Sequence, residues 1–254
     1  MTYSEGNVLK LGDFDLRNTD RQFMPYMIGT DGTIKITFEG HDLFFHAAYM
    51  RDGKEDWSTI SGLTEVFHDN IYDWLPVLGR IVVDIGSNVG DTPIYFLSKG
   101  ASKVICIEAN SDRYSVSLIN IALNGMHDKA VMINKCCGKS GDMPEAPAFI
   151  TLDEIVEKYA VPYGSSLKLD CEGCEYDALL DASSEAIMHF SDIILEYHAG
   201  HARIVDRLSS IGYEVSYAPA SMKPFGNPNG GYIYAKLKLL SKISSKPEAV
   251  NIYA

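Results

Sequence analysis

Acidic side chains follow several apolar, strand-like runs of this sequence, and their spacing predicts a site for a nucleotide-like cofactor. The first run, residues 82–85, contains Asp84 and is followed at once by the glycine-rich turn 86–90 and a helix-compatible stretch. A strand, a tight turn and a helix start are how Rossmann-type sheets bind such cofactors. The turn reads G-x-N-x-G and lacks the second glycine of the dinucleotide pattern, while Asp84 can accept hydrogen bonds from an amino group. Both features favour S-adenosylmethionine over NAD.

A glutamate ends the next strand-like run. Glu108 follows the apolar residues 104–107 and lies about 20 residues after the first turn. An acid at this position of a Rossmann-type unit can accept hydrogen bonds from both ribose hydroxyls. Together with the first turn, Glu108 predicts a nucleoside cofactor with an unphosphorylated ribose.

A third acidic group lies in residues 167–177, which read LKLDCEGCEYD. The strand in this segment delivers Asp170 and Glu172 to the carboxyl edge of the sheet, where ligands bind in such folds. Acids are also favoured at a helix N-terminus, and that explains Glu175 and Asp177. Helix capping does not explain Asp170, which we expect to lie beside the cofactor.

The fourth element is the run 193–198, in which a buried strand ends with Glu196 and then His198. These two side chains share a strand face because the strand period is two. A histidine titrates near neutrality and can remove a proton from a hydroxyl nucleophile. We therefore expect Glu196 and His198 to converge with Asp170 and Glu172 as catalytic residues, with His198 or Asp170 as the base. The alternative for His198 is an ordinary solvated loop histidine.

Metal and redox roles are less favoured by the sequence. Asp170, Glu172 and Glu196 offer oxygen ligands that suit magnesium, so a divalent metal is an alternative, but no metal ligand is predicted. Cys171 and Cys174 form one C-x-x-C pair, whereas a structural zinc site needs a second pair or suitably spaced histidines. We expect these cysteines to be reduced, buried thiols.

Composition indicates a globular protein and lowers the odds of a nucleic-acid partner. Hydrophobic residues make up 46% and charged residues 22% of the 254 residues, and the net charge is −12. Phosphate backbones are bound by basic surfaces, so nucleic acid is an unfavoured partner. No secretory signal and no run near the roughly 20 apolar residues of a membrane span are visible, so we expect a cytoplasmic protein. Oligomeric state cannot be read from the sequence.

Hydrophobic periodicity divides the chain into three parts. Residues 1–60 predict a β-rich cap, with a strand over 33–39; residues 61–240 predict the main domain; residues 241–254 predict a tail. The main domain opens with a helix predicted over 61–78. It continues with parallel strands over 81–85, 103–107, 130–134, 166–169 and 192–196, and with helices over 91–99, 112–124, 152–159, 175–182 and 202–211. Two last strands, 213–217 and 232–239, predict an antiparallel hairpin at the sheet edge. The fold class is therefore α/β, a Rossmann-like methyltransferase fold with a mostly parallel seven-stranded sheet and a small β-rich N-terminal extension.

The sequence resembles the FkbM family of S-adenosylmethionine-dependent methyltransferases. The resemblance rests on residues 83–90, 107–110, 152–153, 168–177 and 195–198, of which the segment around Asp170 is the most specific. It implies methyl transfer to a hydroxyl of a sugar, a polyketide or a lipid-linked intermediate. It implies cofactor contacts at Asp84, Gly86, Ser87, Asn88, Gly90, Glu108 and Ala109.

Two other functions stay open at this stage. One is an RNA methyltransferase with the same cofactor, which the acidity of the chain disfavours. The other is a module that binds S-adenosylmethionine without catalysis. The leading expectation is an enzyme that methylates a small-molecule or glycan acceptor.

Overall fold

The structure, a computed structural model, describes residues 8–11, 14–17, 26–29, 32–46, 57–138, 148–219 and 230–238. Its strands are β1 (Val8–Leu11), β2 (Phe14–Arg17), β3 (Tyr26–Gly29), β4 (Thr33–Phe38), β5 (His41–His46), β6 (Ile81–Ile85), β7 (Lys103–Glu108), β8 (Ala130–Asn134), β9 (Cys136–Cys137), β10 (Phe149–Ile150), β11 (Ser165–Leu169), β12 (Phe190–Tyr197), β13 (Tyr213–Pro219) and β14 (Gly231–Leu237). Its helices are α1 (Trp57–Leu63), α2 (Asp91–Ser98), α3 (Ser111–Leu123), α4 (Leu152–Lys158), α5 (Glu175–Leu180), α6 (Ser184–Met188) and α7 (Ala202–Ile211), and a π-helical segment, Thr64–His68, directly follows α1.

The central sheet has seven strands in the order β13-β14-β12-β11-β6-β7-β8. Strands β12, β11, β6, β7 and β8 pair in parallel, because helices return the chain to the same end of the sheet each time. Strand β14 pairs antiparallel with both β12 and β13. The predicted mostly parallel, seven-stranded Rossmann-like sheet with its closing hairpin is confirmed.

Hydrophobic layers cover both faces of this sheet. Val83 and Ile85 of β6 point into one layer, which the apolar faces of α4, α5, α6 and α7 complete. Val82 of the same strand points into the other layer, where α2, α3 and the N-terminal sheet pack. Burial on both faces explains why the central strands read as continuous apolar runs rather than as alternating ones. Among the described residues, no helix is both long and apolar enough to cross a bilayer.

The N-terminal strands form a five-stranded antiparallel sheet in the order β1 to β5. Alternate residues of β4 are buried, as the period of two predicts. Asn120 of α3 and Asn124, the residue directly after this helix, bind the outer edge of β5. Asn124 exchanges two hydrogen bonds with the backbone of Phe44, of 2.9 and 2.7 Å, and Asn120 accepts one of 2.6 Å from His46 N. Asn120 also donates to the carbonyl of Val89 at 2.8 Å, so it joins this sheet to the glycine-rich turn.

The long helix predicted over 61–78 is wrong. Regular helix ends at Leu63, and the π-helical segment that follows ends at His68. Asn70 has a positive φ of 52° and its side chain donates to the carbonyl of His68, which turns the chain away from the helix axis. Leu75, which fitted the helical pattern, still reaches the core, but through tight turns, whereas Trp74 is 69% exposed. The predicted tail, 241–254, lies outside the described residues.

Candidate active site

A cavity of about 970 Å³ opens at the carboxyl edge of the parallel strands. Six of the residues predicted for the site line it, namely Gly86, Asn88, Glu108, Ala109, Asp170 and Glu172. Asp84 and Ser87 are fully buried behind its wall. The cavity is large enough for a cofactor and a small acceptor, since ligand sites span roughly 300–1,000 Å³.

Both glycines of the turn are required by the packing of protein against protein. Gly86 has a φ of 82°, and a Cβ atom there would overlap the backbone carbonyl of Asp170. Gly90 has a φ of 86°, and its Cβ would lie 3.2 Å from the Cα and Cβ atoms of Ser117 in α3. A side chain at either position would therefore push β11 or α3 away from the turn.

Glu108 holds the turn and lines the cavity at the same time. Its Oε2 accepts a hydrogen bond of 2.8 Å from Asn88 N, and its Oε1 accepts one of 2.8 Å from Asn110 N. Burial raises the pKa of Glu108, and these two backbone donors oppose that rise. A carboxylate oxygen has two lone pairs, so each oxygen retains acceptor capacity toward the cavity.

Asp84 contacts a lysine. Its Oδ1 lies 3.1 Å from Nζ of Lys168, and its Oδ2 accepts a hydrogen bond of 2.5 Å from the Thr92 hydroxyl. Lys168 is 1% exposed and donates to the carbonyl of Gly86 at 2.6 Å. Burial opposes the lysine charge, but the carboxylates of Asp84 and Asp170 outweigh it and raise the pKa of Lys168. The ion pair therefore anchors the carboxyl end of β6 to β11.

The ends of β11 and β12 bring three predicted catalytic residues together. One ligand atom from each of Asp170, Glu196 and His198 lies within 4.8 Å of the others, and we call these residues the acceptor-side triad. Asp170 lines the cavity and its Oδ2 accepts a hydrogen bond of 2.7 Å from the Tyr72 hydroxyl. The triad thus adjoins the cavity through Asp170.

Two further glutamates surround His198. Its Nδ1 lies 3.3 Å from Oε1 of the fully buried Glu175, and its Nε2 lies 3.4 Å from Oε2 of Glu172. The contact with Glu175 raises the pKa of His198 to about 9. Burial and the nearby Asp170 raise the pKa of Glu196 to about 7. The predicted residue Glu172 touches His198, but its side chain is 79% exposed.

The predicted state of the C-x-x-C pair is wrong. Cys171 and Cys174 form a disulfide, whereas Cys106, Cys136 and Cys137 are free and buried. The pairing is reasonable because the two residues flank the tight turn before α5, which sets their Cα atoms 5.5 Å apart. The disulfide lines the cavity next to Asp170.

Three residues of the site were missed by sequence reasoning. Lys168 lies inside an apolar parallel strand, and a buried charge in such a run is a signal that could have been used. Glu175 was assigned to helix capping, but it contacts His198 and accepts a hydrogen bond of 2.8 Å from Cys171 N. Tyr72 gave no local signal, because only the fold places it against Asp170.

No family model and no curated protein matches the sequence. A putative rRNA-methylase from Clostridium thermocellum is 13% identical and aligns over 67% of this chain and 93% of its own, with a TM-score of 0.48. An O-methyltransferase from Bacillus cereus in complex with SAH is 15% identical over 63% of this chain and 74% of its own, with a TM-score of 0.42. The precorrin-6y C5,15-methyltransferase from Geobacter metallireducens GS-15 is 14% identical over 63% and 82%, with a TM-score of 0.42.

Proposed function

We propose that this protein is an S-adenosylmethionine-dependent methyltransferase of the FkbM type, which methylates a hydroxyl of a sugar, lipid-linked or other small-molecule acceptor. The observation that carries the proposal is that Glu108 and Asp170 line one cavity at the carboxyl edge of the sheet. Ligands of open α/β sheets bind at this edge. The carboxylate of Glu108 then contacts the cofactor, and that of Asp170 contacts the acceptor.

The cofactor end comprises the glycine-rich turn and Glu108. The carboxylate of Glu108 accepts hydrogen bonds from the ribose hydroxyls, and Ala109 borders the adenosine. Gly86 and Asn88 present backbone to the methionine part of the cofactor. Ser87 and Gly90 shape the turn from behind, and Asp84 acts through Lys168, whose ammonium group fixes the Gly86 carbonyl.

The acceptor end comprises the acceptor-side triad. When bound, the cofactor supplies an activated methyl group on its sulfonium, so the protein's main task is to hold the acceptor oxygen in line with that methyl. Asp170 orients the hydroxyl, and a carboxylate of the triad takes its proton while the oxygen keeps its electron pair for the new bond to carbon. His198, with its raised pKa, carries its proton near neutral pH in the metal-free protein and stabilises the neighbouring carboxylates.

The charge of the acceptor end favours neutral acceptors over nucleic acids. Asp170, Glu172 and Glu65 line the cavity, and Glu196 lies beside it. Carboxylates repel the phosphates of RNA, whereas sugar hydroxyls form hydrogen bonds with them.

The experiment is methyl transfer from S-adenosylmethionine labelled in its methyl group. Purified full-length protein is incubated with sugars, glycolipids, small alcohols and tRNA as separate acceptors. We expect label in a hydroxyl compound and none in tRNA, and we expect Glu108→Gln to lower the rate of labelling about 10- to 100-fold at sub-saturating S-adenosylmethionine. Glu157→Gln, on the exposed side of α4, is the matched control. Label in tRNA alone would replace the proposed acceptor class.

A further inference from the structure

We propose that the acceptor-side triad binds a divalent transition-metal ion of the Mn²⁺ class. Asp170 and Glu196 each offer a carboxylate oxygen and His198 offers an imidazole nitrogen, all within 4.8 Å of one another. Atoms bound to one ion at about 2.0–2.2 Å lie roughly 3 to 4.4 Å apart, so small side-chain rotations bring the three into coordination.

His198 is already oriented as a metal-bound histidine requires. Glu175, which is 0% exposed, lies 3.3 Å from Nδ1, while Nε2 lies on the side of Glu196, 4.0 Å from its Oε1. A buried carboxylate on one ring nitrogen fixes the ring and its tautomer, and the other nitrogen then faces the triad, 3.4 Å from the exposed Glu172 and 4.0 Å from Glu196. Glu175 is not one of the three proposed ligands; it comes from α5, and Cys171 N donates a hydrogen bond to it.

The charge around His198 calls for a cation. Asp170, Glu172, Glu175 and Glu196 surround one imidazole, and the nearest buried lysine, Lys168, is already paired with Asp84. Oε2 of Glu175 is buried, and no described residue donates a hydrogen bond to it. Buried carboxylates are costly unless they are neutralised. A divalent ion supplies two further positive charges at the centre of these carboxylates.

The donor set selects the kind of ion. Two carboxylates alone would suit Mg²⁺ or Ca²⁺, but the imidazole shifts the preference toward Mn²⁺, Fe²⁺, Co²⁺ or Zn²⁺. The magnesium alternative from the sequence used Glu172 as a ligand. The structure instead places His198 with Asp170 and Glu196, while the Glu172 side chain is 79% exposed.

The ion's use in catalysis rests on the proposed function, whereas its binding does not. Three protein ligands leave open positions, and Asp170 places them next to the cavity. An acceptor hydroxyl bound to the ion has a lowered pKa. Its proton passes to water or to the exposed Glu172, and its oxygen keeps the electron pair that forms the bond to the methyl carbon. With the ion bound, Asp170 and Glu196 are ligands rather than proton acceptors.

The test is a titration of metal-stripped full-length protein with Mn²⁺, in which electron paramagnetic resonance measures the free ion. We expect one ion per chain, with affinity reduced at least tenfold in His198→Ala and in Glu196→Gln. Glu175→Gln is expected to weaken binding by about 10- to 100-fold, the range for partners that orient a ligand. His127→Ala, a surface histidine, and Glu157→Gln are matched controls that keep wild-type affinity.

Two results would overturn the metal site. One is the absence of Mn²⁺, Co²⁺ and Zn²⁺ binding at millimolar concentrations by folded wild-type protein. The other is Mn²⁺ binding that both triad variants leave unchanged, which would put the ion elsewhere. S-adenosylmethionine binding is measured on the same samples. Cofactor binding without metal binding rejects the metal site alone, and metal binding without cofactor binding rejects the proposed function alone.

Discussion

The Nζ atom of Lys168 lies 3.1 Å from Oδ1 of Asp84 and 2.6 Å from the carbonyl oxygen of Gly86. One buried lysine of β11 therefore binds both the carboxyl end of β6 and the start of the glycine-rich turn. This ion pair fixes the relative position of the two halves of the site, since Asp170 follows two residues later, directly after the end of β11. The relative position of the cofactor and acceptor ends thus depends on Lys168, which contacts the glycine-rich turn and also lines the cavity.

Replacement of Lys168 by methionine is expected to be severely destabilising. Lys168→Met removes the partner of a carboxylate that is 0% exposed, and breaking a buried ion pair costs about 3–5 kcal/mol. Urea unfolding measures the loss, and Lys103→Met, at an exposed position of β7, is the control. Because Asp84→Asn removes the unpaired charge, the double variant should lose less than the two single variants together. A Lys168→Met protein as stable as the control would contradict the assigned role of the pair.

The buried carboxyl group of Asp91 is expected to make the free energy of unfolding depend on pH. Burial raises the pKa of this carboxyl from 3.8 to about 6, and its Oδ1 accepts no hydrogen bond from any described residue. The folded state therefore binds the Asp91 proton more tightly than the unfolded state, so this contribution to stability is lost as pH rises from about 4 to 6. Above that range the loss is roughly 3 kcal/mol.

The measurement compares Asp91→Asn with wild type in the absence of cofactor. We expect the free energy of unfolding of the variant, relative to wild type, to increase between pH 4.5 and pH 7.5, because only wild type must ionise the buried carboxyl. Other titrating groups cancel in this difference. Asp112→Asn, at an exposed position of α3, should show no such trend. A difference that is flat with pH would show that Asp91 is not protonated preferentially in the folded state.

The cysteine assignment gives a simple chemical prediction. Cys171 and Cys174 are paired, and Cys106, Cys136 and Cys137 are free. Thiol titration of denatured, unreduced protein should therefore find three reactive thiols, and prior reduction should raise the count to five. In Cys171→Ser the count should be four both before and after reduction, because Cys174 then has no disulfide partner. Five thiols without reduction would contradict the pairing.

Loss of this disulfide should cost little stability. The loop that it closes is short, and the entropy that a cross-link removes from the unfolded chain grows with loop length, which gives about 2 kcal/mol here. Urea unfolding of the Cys171→Ser, Cys174→Ser double variant measures this cost. A loss well beyond that value would mean that the disulfide also fixes Glu175, whose Oε1 accepts the Cys171 backbone N–H.

The parallel sheet could be predicted from the sequence because its strands are buried on both faces. Runs such as residues 104–107 of β7 contain only apolar residues that fit such a layer, and their alternation with helices predicts a parallel sheet. The positions of Asp84 and Glu108 followed from the same runs, since both lie where strands end. The contacts within the site could not be predicted, because they join distant parts of the chain. Lys168 and Gly86, for example, lie 82 positions apart in the sequence.

Two predictions were wrong because they depended on backbone turns that the sequence pattern does not show: the helix over 61–78 and the reduced state of Cys171 and Cys174. Helical spacing after residue 61 was correct that Leu63, Val66, Phe67 and Leu75 are buried, but Trp74, which belongs to the same pattern, is 69% exposed. Asn70 adopts a positive φ, and the chain reaches the core through turns. Cys171 and Cys174 were predicted to be reduced thiols because an expected cytoplasmic location favours thiols. The sequence alone does not give the distance between the two side chains. Their turn brings the Cα atoms to 5.5 Å.

Calorimetric titration of the purified protein with S-adenosylmethionine tests the central claim most directly. We expect one cofactor per chain, and binding about 10- to 100-fold weaker in Glu108→Gln, because hydrogen bonds to a charged acceptor contribute about 1.5–3 kcal/mol. Glu157→Gln should bind as wild type does. No heat of binding from folded wild-type protein, or equal affinity in Glu108→Gln and wild type, would contradict the account.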